Sequence, residues 1–289
     1  MLKLQTPVET DRCGMQISYQ DRILVLGSCF ADNIGEKLRQ YGFQACVNPF
    51  GTLYNPVSVC RALDRLASGR PFEEEDCVTL GAGDGRTGSF SHHTSFARET
   101  AEEFLAAAND SLAAASDFYS ACNKVILTLG TAWTFRHLAS GQIVANCLKR
   151  PAAEFARERL GIPEVAGLLH GAVSSAPDKE FLLTVSPIRH LKDTAHGNQL
   201  SKSILLLAVD SVASSFEDAS RVSYFPAYEI VMDELRDYRW YAEDMVHPSA
   251  ATVNYLWERF VDAALAPGEK ETLREAGERF RKSQHRPMR

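Results

Sequence analysis

Apolar, β-branched runs of strand length alternate with stretches of helical periodicity along most of the chain, and this alternation restricts the fold more than any other feature. Arg22-Ile-Leu-Val-Leu26 reads as a buried strand, and Ala31 to Tyr41 follows with Ile34, Leu38 and Tyr41 at helical spacing. Phe43 to Val47 reads as a short second strand. The turn-rich Asn48-Pro-Phe-Gly-Thr-Leu-Tyr-Asn-Pro56 then leads into a helix through about Leu66. Glu99 to Ala121 is an alanine-rich helical pattern, with a break expected near Asn109, and delivers the chain to the strand Lys124 to Leu129. Phe181 to Val185 is a further strand, Asn198 to Ser214 a Leu-rich helix and Arg221 to Phe225 the last central strand. Near-continuous hydrophobic strands joined by helices predict a mostly parallel sheet covered on both faces, because right-handed crossovers put the helices there. The expectation is a three-layer α/β/α fold. It comprises a single domain over residues 1–266, cap-like insertions around 94–118 and 150–178, and a charged C-terminal helix and tail over 267–289.

Composition removes several function classes. The 289 residues carry 31 Lys and Arg against 37 Asp and Glu, a formal charge of −6, so no overall positive field attracts nucleic acid or an anionic membrane. The longest purely apolar run, Ile204 to Val209, is far below the roughly 20 residues needed to cross a bilayer. Met1 to Asp11 lacks the apolar stretch of a signal peptide, which predicts a cytoplasmic protein with an unused sequon at Asn109. Seven scattered cysteines, at 13, 29, 46, 60, 77, 122 and 147, include no C-x-x-C pair. They predict reduced thiols rather than a disulfide framework or structural zinc. No cofactor or metal is called for; the adjacent His92 and His93 point in opposite directions on an extended chain, with no carboxylate-rich spacing beside them.

Two stretches carry chemistry. Gly27-Ser28-Cys29 falls where the first strand meets the first helix, at the carboxyl edge where open α/β sheets bind ligands. Ser28 there is either a nucleophile or simply the helix N-cap. Asp244-Met-Val-His247-Pro-Ser precedes a final helix, Ala250 to Leu265, and the i, i+3 spacing lets the carboxylate hold one imidazole nitrogen. Alone, such a pair is as consistent with a free surface Asp and His. A serine needs a base to become nucleophilic, so the two stretches together point to acyl transfer. Ser186-Pro-Ile-Arg189-His190 follows the fourth central strand. Arg189 there either binds a substrate anion or fixes the loop through an internal salt bridge. Asn146 and Cys147 read as pocket-lining residues or as a turn Asn and a buried thiol. Trp133, Trp240 and Tyr238 to Tyr241 read as packing, or as a platform for a sugar or acyl chain.

Gly27-Ser28-Cys29-Phe30-Ala31 matches the signature of the GSCFA family, a branch of the SGNH/GDSL-type hydrolases. The chain also resembles that family in Asn48-Pro-Phe-Gly51, Leu129-Gly130-Thr131, Val144-Ala-Asn-Cys147, Ser186-Pro-Ile-Arg-His190 and Asp244-x-x-His247-Pro-Ser. The resemblance implies a flavodoxin-like fold with Ser28 as nucleophile, His247 as base and Asp244 orienting it. It also leaves the Cys29 and Gly51 N–H groups as oxyanion donors; Arg189, His190 and Asn146 are further candidates for contact with the substrate. One departure stands out. SGNH enzymes carry Gly-x-Asn-Asp after the third strand, whereas Gly130-Thr131-Ala132-Trp133 puts Ala at the oxyanion Asn, leaving the Thr131 hydroxyl as a stand-in. A lost donor costs about 10² to 10³ in rate. The implied activity is hydrolysis of a carboxylic ester, such as deacetylation of a carbohydrate or small metabolite. The alternatives are acyl transfer through the same serine, a Cys29 nucleophile, and a binding module that has lost catalysis. A dinucleotide site is disfavoured, since Gly27-Ser-Cys-Phe lacks the required glycine spacing.

Overall fold

The computed structural model describes residues 6–10 and 13–284. Ten strands occur in it: β1 (Arg22–Gly27), β2 (Gln44–Val47), β3 (Val78–Thr79), β4 (Thr87–Gly88), β5 (Lys124–Leu129), β6 (Trp133–His137), β7 (Ile143–Val144), β8 (Phe155–Arg159), β9 (Glu180–Val185) and β10 (Val222–Tyr224). The main helices are α1 (Cys29–Gln40), α2 (Pro56–Ser68), α3 (Ala101–Ala121), α4 (Ile162–Ser174), α5 (Thr194–Ser214), α6 (Ala227–Glu229, continued as a π-helix over Ile230–Leu235), α7 (Ala250–Ala264) and α8 (Lys270–Gln284).

Five strands pair in parallel in the order β10-β9-β5-β1-β2. Numbering only these five along the chain gives 2-1-3-4-5, the flavodoxin-like order, in which the direction of winding reverses between β1 and β5. Register at that seam sets Leu26 beside Leu127 and Gly27 beside Thr128. Alternate residues of each strand face opposite layers. Leu24, Leu26, Val125, Leu127 and Leu183 pack with α2, α3, α4 and α5, while Ile23, Val25, Ile126 and Leu182 pack with α1, α7 and the segment after β10. Both faces of the sheet are therefore buried, and each enclosed aliphatic side chain contributes about 1.5–3 kcal/mol. The three-layer α/β/α expectation is met.

Details differ from the sequence reading where tertiary contacts decide. The segments 94–118 and 150–178 were expected as cap-like insertions, yet they give α3 and α4 to the helical layer. Their apolar faces, Phe104, Ala108, Leu112 and Ala115 in one and Val165, Leu169 and Val173 in the other, require the sheet to cover them. Asn109 does not break α3; it clasps the Phe72 backbone through both its amide atoms, at 2.7 and 3.0 Å. The excursions from the main layers are two small antiparallel sheets, β3-β4 and β7-β6-β8. The charged segment from 267 is docked rather than merely solvated, since α8 buries Ala276 and sets Gly277 against the Tyr41 ring; residues 285–289 of the expected tail lie outside the described residues. Among the described residues no helix is long and apolar enough to cross a membrane.

Candidate active site

The turn between β1 and α1 can be made only with glycine at position 27. Its φ is +136°, and a Cβ there would lie 2.1 Å from the Thr128 carbonyl oxygen on the neighbouring strand. Asn48 accepts the Gly27 N–H through Oδ1 at 2.8 Å and donates its amide to Asp32 at 2.6 Å, tying the loop after β2 to the first turn of α1. Ser28 is thereby placed at the reversal of winding, as the N-cap of α1. Its Oγ accepts from the Phe30 N–H at 3.3 Å and lies 3.2 Å from Thr128 Oγ1, and the residue is wholly buried. The cap role is thus the one its hydrogen bonds display. Next to it, burial pushes the Cys29 thiol up, a hydrogen bond between it and the Tyr54 hydroxyl pulling the other way, which disfavours a reactive thiolate at that position.

Asp244 and His247 do meet, with Oδ2 2.6 Å from Nδ1. The contact is made by a non-helical turn, in which Met245 adopts φ +56°. Asp244 Oδ1 closes that turn by accepting the Val246 and His247 N–H groups at 2.9 and 3.0 Å. These bonds, the backbone His247 N–H first and its ring next, hold the Asp244 carboxyl down at about 2. The turn is clamped from the loop after β9. Arg189 donates its backbone N–H to the Val246 carbonyl at 3.1 Å and Nη1 to the Met245 carbonyl at 2.9 Å. No carboxylate of the described residues pairs with Arg189, so it fixes the loop through carbonyls rather than through a salt bridge. Ser28 and His247 both belong to the carboxyl edge of the sheet, but no hydrogen bond joins them among the described residues.

The expected oxyanion donors fare unequally. The Cys29 N–H meets no acceptor oxygen among the described residues, as befits the first residue of a helix. Gly51 is committed elsewhere: its N–H donates to the Asn48 carbonyl at 2.8 Å in a tight turn with φ +78°, and a Cβ would strike His93 at 2.3 Å. The Thr131 hydroxyl is engaged too, 3.0 Å from Ser201 Oγ and accepting the Trp133 N–H. Both groups, expected as oxyanion donors, are thus engaged by local hydrogen bonds.

His190 shares a ring contact with Tyr54 and accepts no donor at its buried Nε2. Burial first, then the Lys202 and Arg157 cations, pull its imidazole down to about 3, so it is neutral near pH 7. The sequence reading missed Lys202, a wholly buried ammonium that donates to the Gly130 and Ser186 carbonyls at 2.6 Å each. The available signal was periodicity, which puts Lys202 on the α5 face that also buries Asn198, Leu205 and Val209. Asn146 is a turn residue, its Oδ1 accepting the Leu148 N–H at 2.8 Å. Trp133 and Trp240 donate their indole N–H groups to the Gly197 and Leu235 carbonyls, which is a packing role. His92 sits among Phe50, Phe72, Phe96 and Phe104 with Nδ1 2.7 Å from Ser89 Oγ, and His93 caps the turn that follows it. Among the described residues no group of three or more His, Cys, Asp or Glu side chains is arranged to hold a metal ion.

An open parallel sheet wound in this order, with a serine at its reversal point, defines a flavodoxin-like α/β protein whose candidate site lies on the carboxyl edge. The chain belongs to the GSCFA family, whose sequence profile matches residues 22–260. Among solved structures it is similar to a Streptococcus pneumonia protein provisionally named a platelet activating factor, at 16% identity and a TM-score of 0.32. That alignment covers 49% of this chain and 59% of the other. No curated protein matches the chain.

Proposed function

We propose that the protein is a serine hydrolase of the SGNH type, cleaving a carboxylic ester of a small metabolite or carbohydrate. The observation that carries this reading is the 2.6 Å Asp244–His247 contact, on a turn that Arg189 clamps to the same sheet edge as Ser28. With Nδ1–H held by Asp244, His247 presents Nε2 as the base. Rotation of the Ser28 side chain away from Thr128 frees Oγ to attack the ester carbonyl. The Oγ proton passes to Nε2, the carbonyl electron pair moves to oxygen, and the Cys29 N–H holds that oxyanion. Collapse breaks the bond to the alcohol, which leaves with the proton from His247; water then repeats the sequence to release the acid and restore Ser28. One free backbone donor, where such sites use two or three, predicts slow turnover, by about 10² to 10³ per missing donor.

A fluorophosphonate probe tests the nucleophile. The expected result is a single adduct on Ser28 and none on a folded Ser28→Ala protein; an unlabelled but folded parent chain sinks the reading. A second reading, a ligand-binding domain without catalysis, draws on the complete burial of Ser28 and the engaged Gly51 and Thr131 groups. Binding of an ester with no turnover of 4-nitrophenyl esters of any chain length selects it.

A further inference from the structure

Beside the Asp244–His247 turn lies a cavity of about 490 Å³, within the range of small-molecule sites. Its walls include Arg189, Tyr228, Tyr238 and Tyr241, with Val231 and Met232 from the π-helical segment as an apolar floor. The Arg189 guanidinium lies 5.6 Å from the Tyr238 ring centre and 5.3 Å from that of Tyr241. Tyr238 is 68% exposed, an open aromatic face with room beside it. Arg189 spends one N–H on the Met245 carbonyl and has no carboxylate partner among the described residues. The two acidic groups on the rim are already matched, Asp233 with Arg236 at 3.4 Å and Asp237 with Arg239 at 2.8 Å. The uncompensated charge facing the cavity is therefore positive, and it is flanked by rings.

We infer that this cavity binds the alcohol portion of the substrate, and that this portion is a ring bearing a carboxylate or other anionic group, paired with Arg189 and stacked on Tyr238. The inference rests on the hydrolase reading for its link to catalysis, but the binding itself does not need turnover. A guanidinium presents parallel donors that suit a carboxylate, and an aromatic face suits a planar or sugar ring. The wall is continuous with the catalytic turn. Tyr241 pairs with Pro248, the Ala242 N–H donates to the His247 carbonyl at 2.8 Å, and Arg189 holds Met245 and Val246. A ligand anchored on Arg189 and Tyr238 is therefore held by the same hydrogen-bonded unit that positions the imidazole.

The test compares 4-carboxyphenyl acetate with its neutral counterpart 4-carbamoylphenyl acetate, together with calorimetric binding of the products 4-hydroxybenzoate and 4-hydroxybenzamide. The expected result is a preference of about tenfold for the anionic member in KM and in product binding, the size of one charge-assisted hydrogen bond. Arg189→Gln removes the preference, Arg189→Lys keeps part of it, and Tyr238→Ala weakens both products alike. Equal binding of the two products by the parent chain, or a preference that survives Arg189→Gln, overturns the inference. Failure to hydrolyse either acetate while 4-hydroxybenzoate is preferred overturns the hydrolase reading and leaves the anion site standing.

Discussion

Lys202 Nζ donates to the Gly130 carbonyl at 2.6 Å from a position with no exposed surface. Its second bond, to the Ser186 carbonyl at 2.6 Å, joins the loop after β5 to the loop after β9, so one buried ammonium fixes two loops of the site edge. Burial lowers its pKa from 10.5 to about 7. A folded value below the unfolded one means that the unfolded chain binds more protons between pH 7 and 10.5, and stability rises with pH across that window. Below pH 7 both states are protonated and the effect of this group is constant. Lys202→Met is expected to flatten the rise, which reaches at most about 1.4 kcal/mol per pH unit, while leaving two carbonyls without a donor at about 1–3 kcal/mol each. Urea midpoints of both proteins at pH 7 and pH 9 check this, and an unchanged slope in the variant refutes it.

Thr128 is the partner that keeps Ser28 turned inward, through the 3.2 Å contact between their hydroxyls. Thr128→Val removes that partner but retains the backbone carbonyl that accepts the Ser28 N–H. If the hydroxyl must rotate away before it reacts, losing a hydrogen bond worth about 1 kcal/mol raises the fluorophosphonate labelling rate about fivefold. A rate equal to or below that of the parent chain argues that Thr128 does not restrain the nucleophile.

Asp244 separates orientation from charge in the proposed mechanism. Asp244→Asn keeps the size of the side chain and an oxygen for the Val246 and His247 N–H groups, so the turn is expected to persist. The imidazole, however, loses the acceptor that fixes its tautomer. Ester turnover is expected to fall by about 10² or more, with little change in thermal midpoint because the carboxylate is exposed. Equal loss of activity and of folding in this variant counts against an orienting role.

The central sheet was legible because β1, β5 and β9 are buried on both faces and read as unbroken apolar runs. The small sheet β7-β6-β8 was not. Its strands are short and half exposed, and are held by pairs such as Arg136 with Glu158, which look like ordinary surface charge until β6 and β8 pair. At the site, the spacing of Asp244 and His247 allowed their contact but equally a free surface pair. The non-helical turn that makes the contact was not legible, because it depends on Met245 adopting a left-handed conformation and on Arg189 some 56 residues away. Gly51 and Thr131 illustrate the converse limit: residue type and place suggested oxyanion donors, but sequence does not show the local partners that each hydrogen-bonds.

A buried histidine and a half-buried one set the response to acid. His92, enclosed by four phenylalanines, and His190, beside Tyr54 and under the influence of the Lys202 and Arg157 cations, both have imidazoles brought from 6.5 down to about 3, chiefly by burial. Between pH 6.5 and 3 the unfolded chain takes up protons at these positions and the folded chain does not, so stability is full above 6.5 and is lost progressively as pH falls. Each group contributes a slope of up to about 1.4 kcal/mol per pH unit. The carboxyl of Asp244 acts in a lower window: the unfolded chain protonates it below 3.8 while the folded chain keeps it ionised down to about 2, so its contribution is lost between those values. Acid unfolding is therefore expected to begin between pH 6 and 4, before the carboxylates contribute, and His92→Phe is expected to make it shallower. The phenyl ring suits the surrounding Phe50, Phe72, Phe96 and Phe104, and only the Ser89 hydroxyl loses a partner. Circular dichroism melts of both proteins from pH 7 to 4 measure the difference, and parallel acid profiles show that His92 is not the group being titrated.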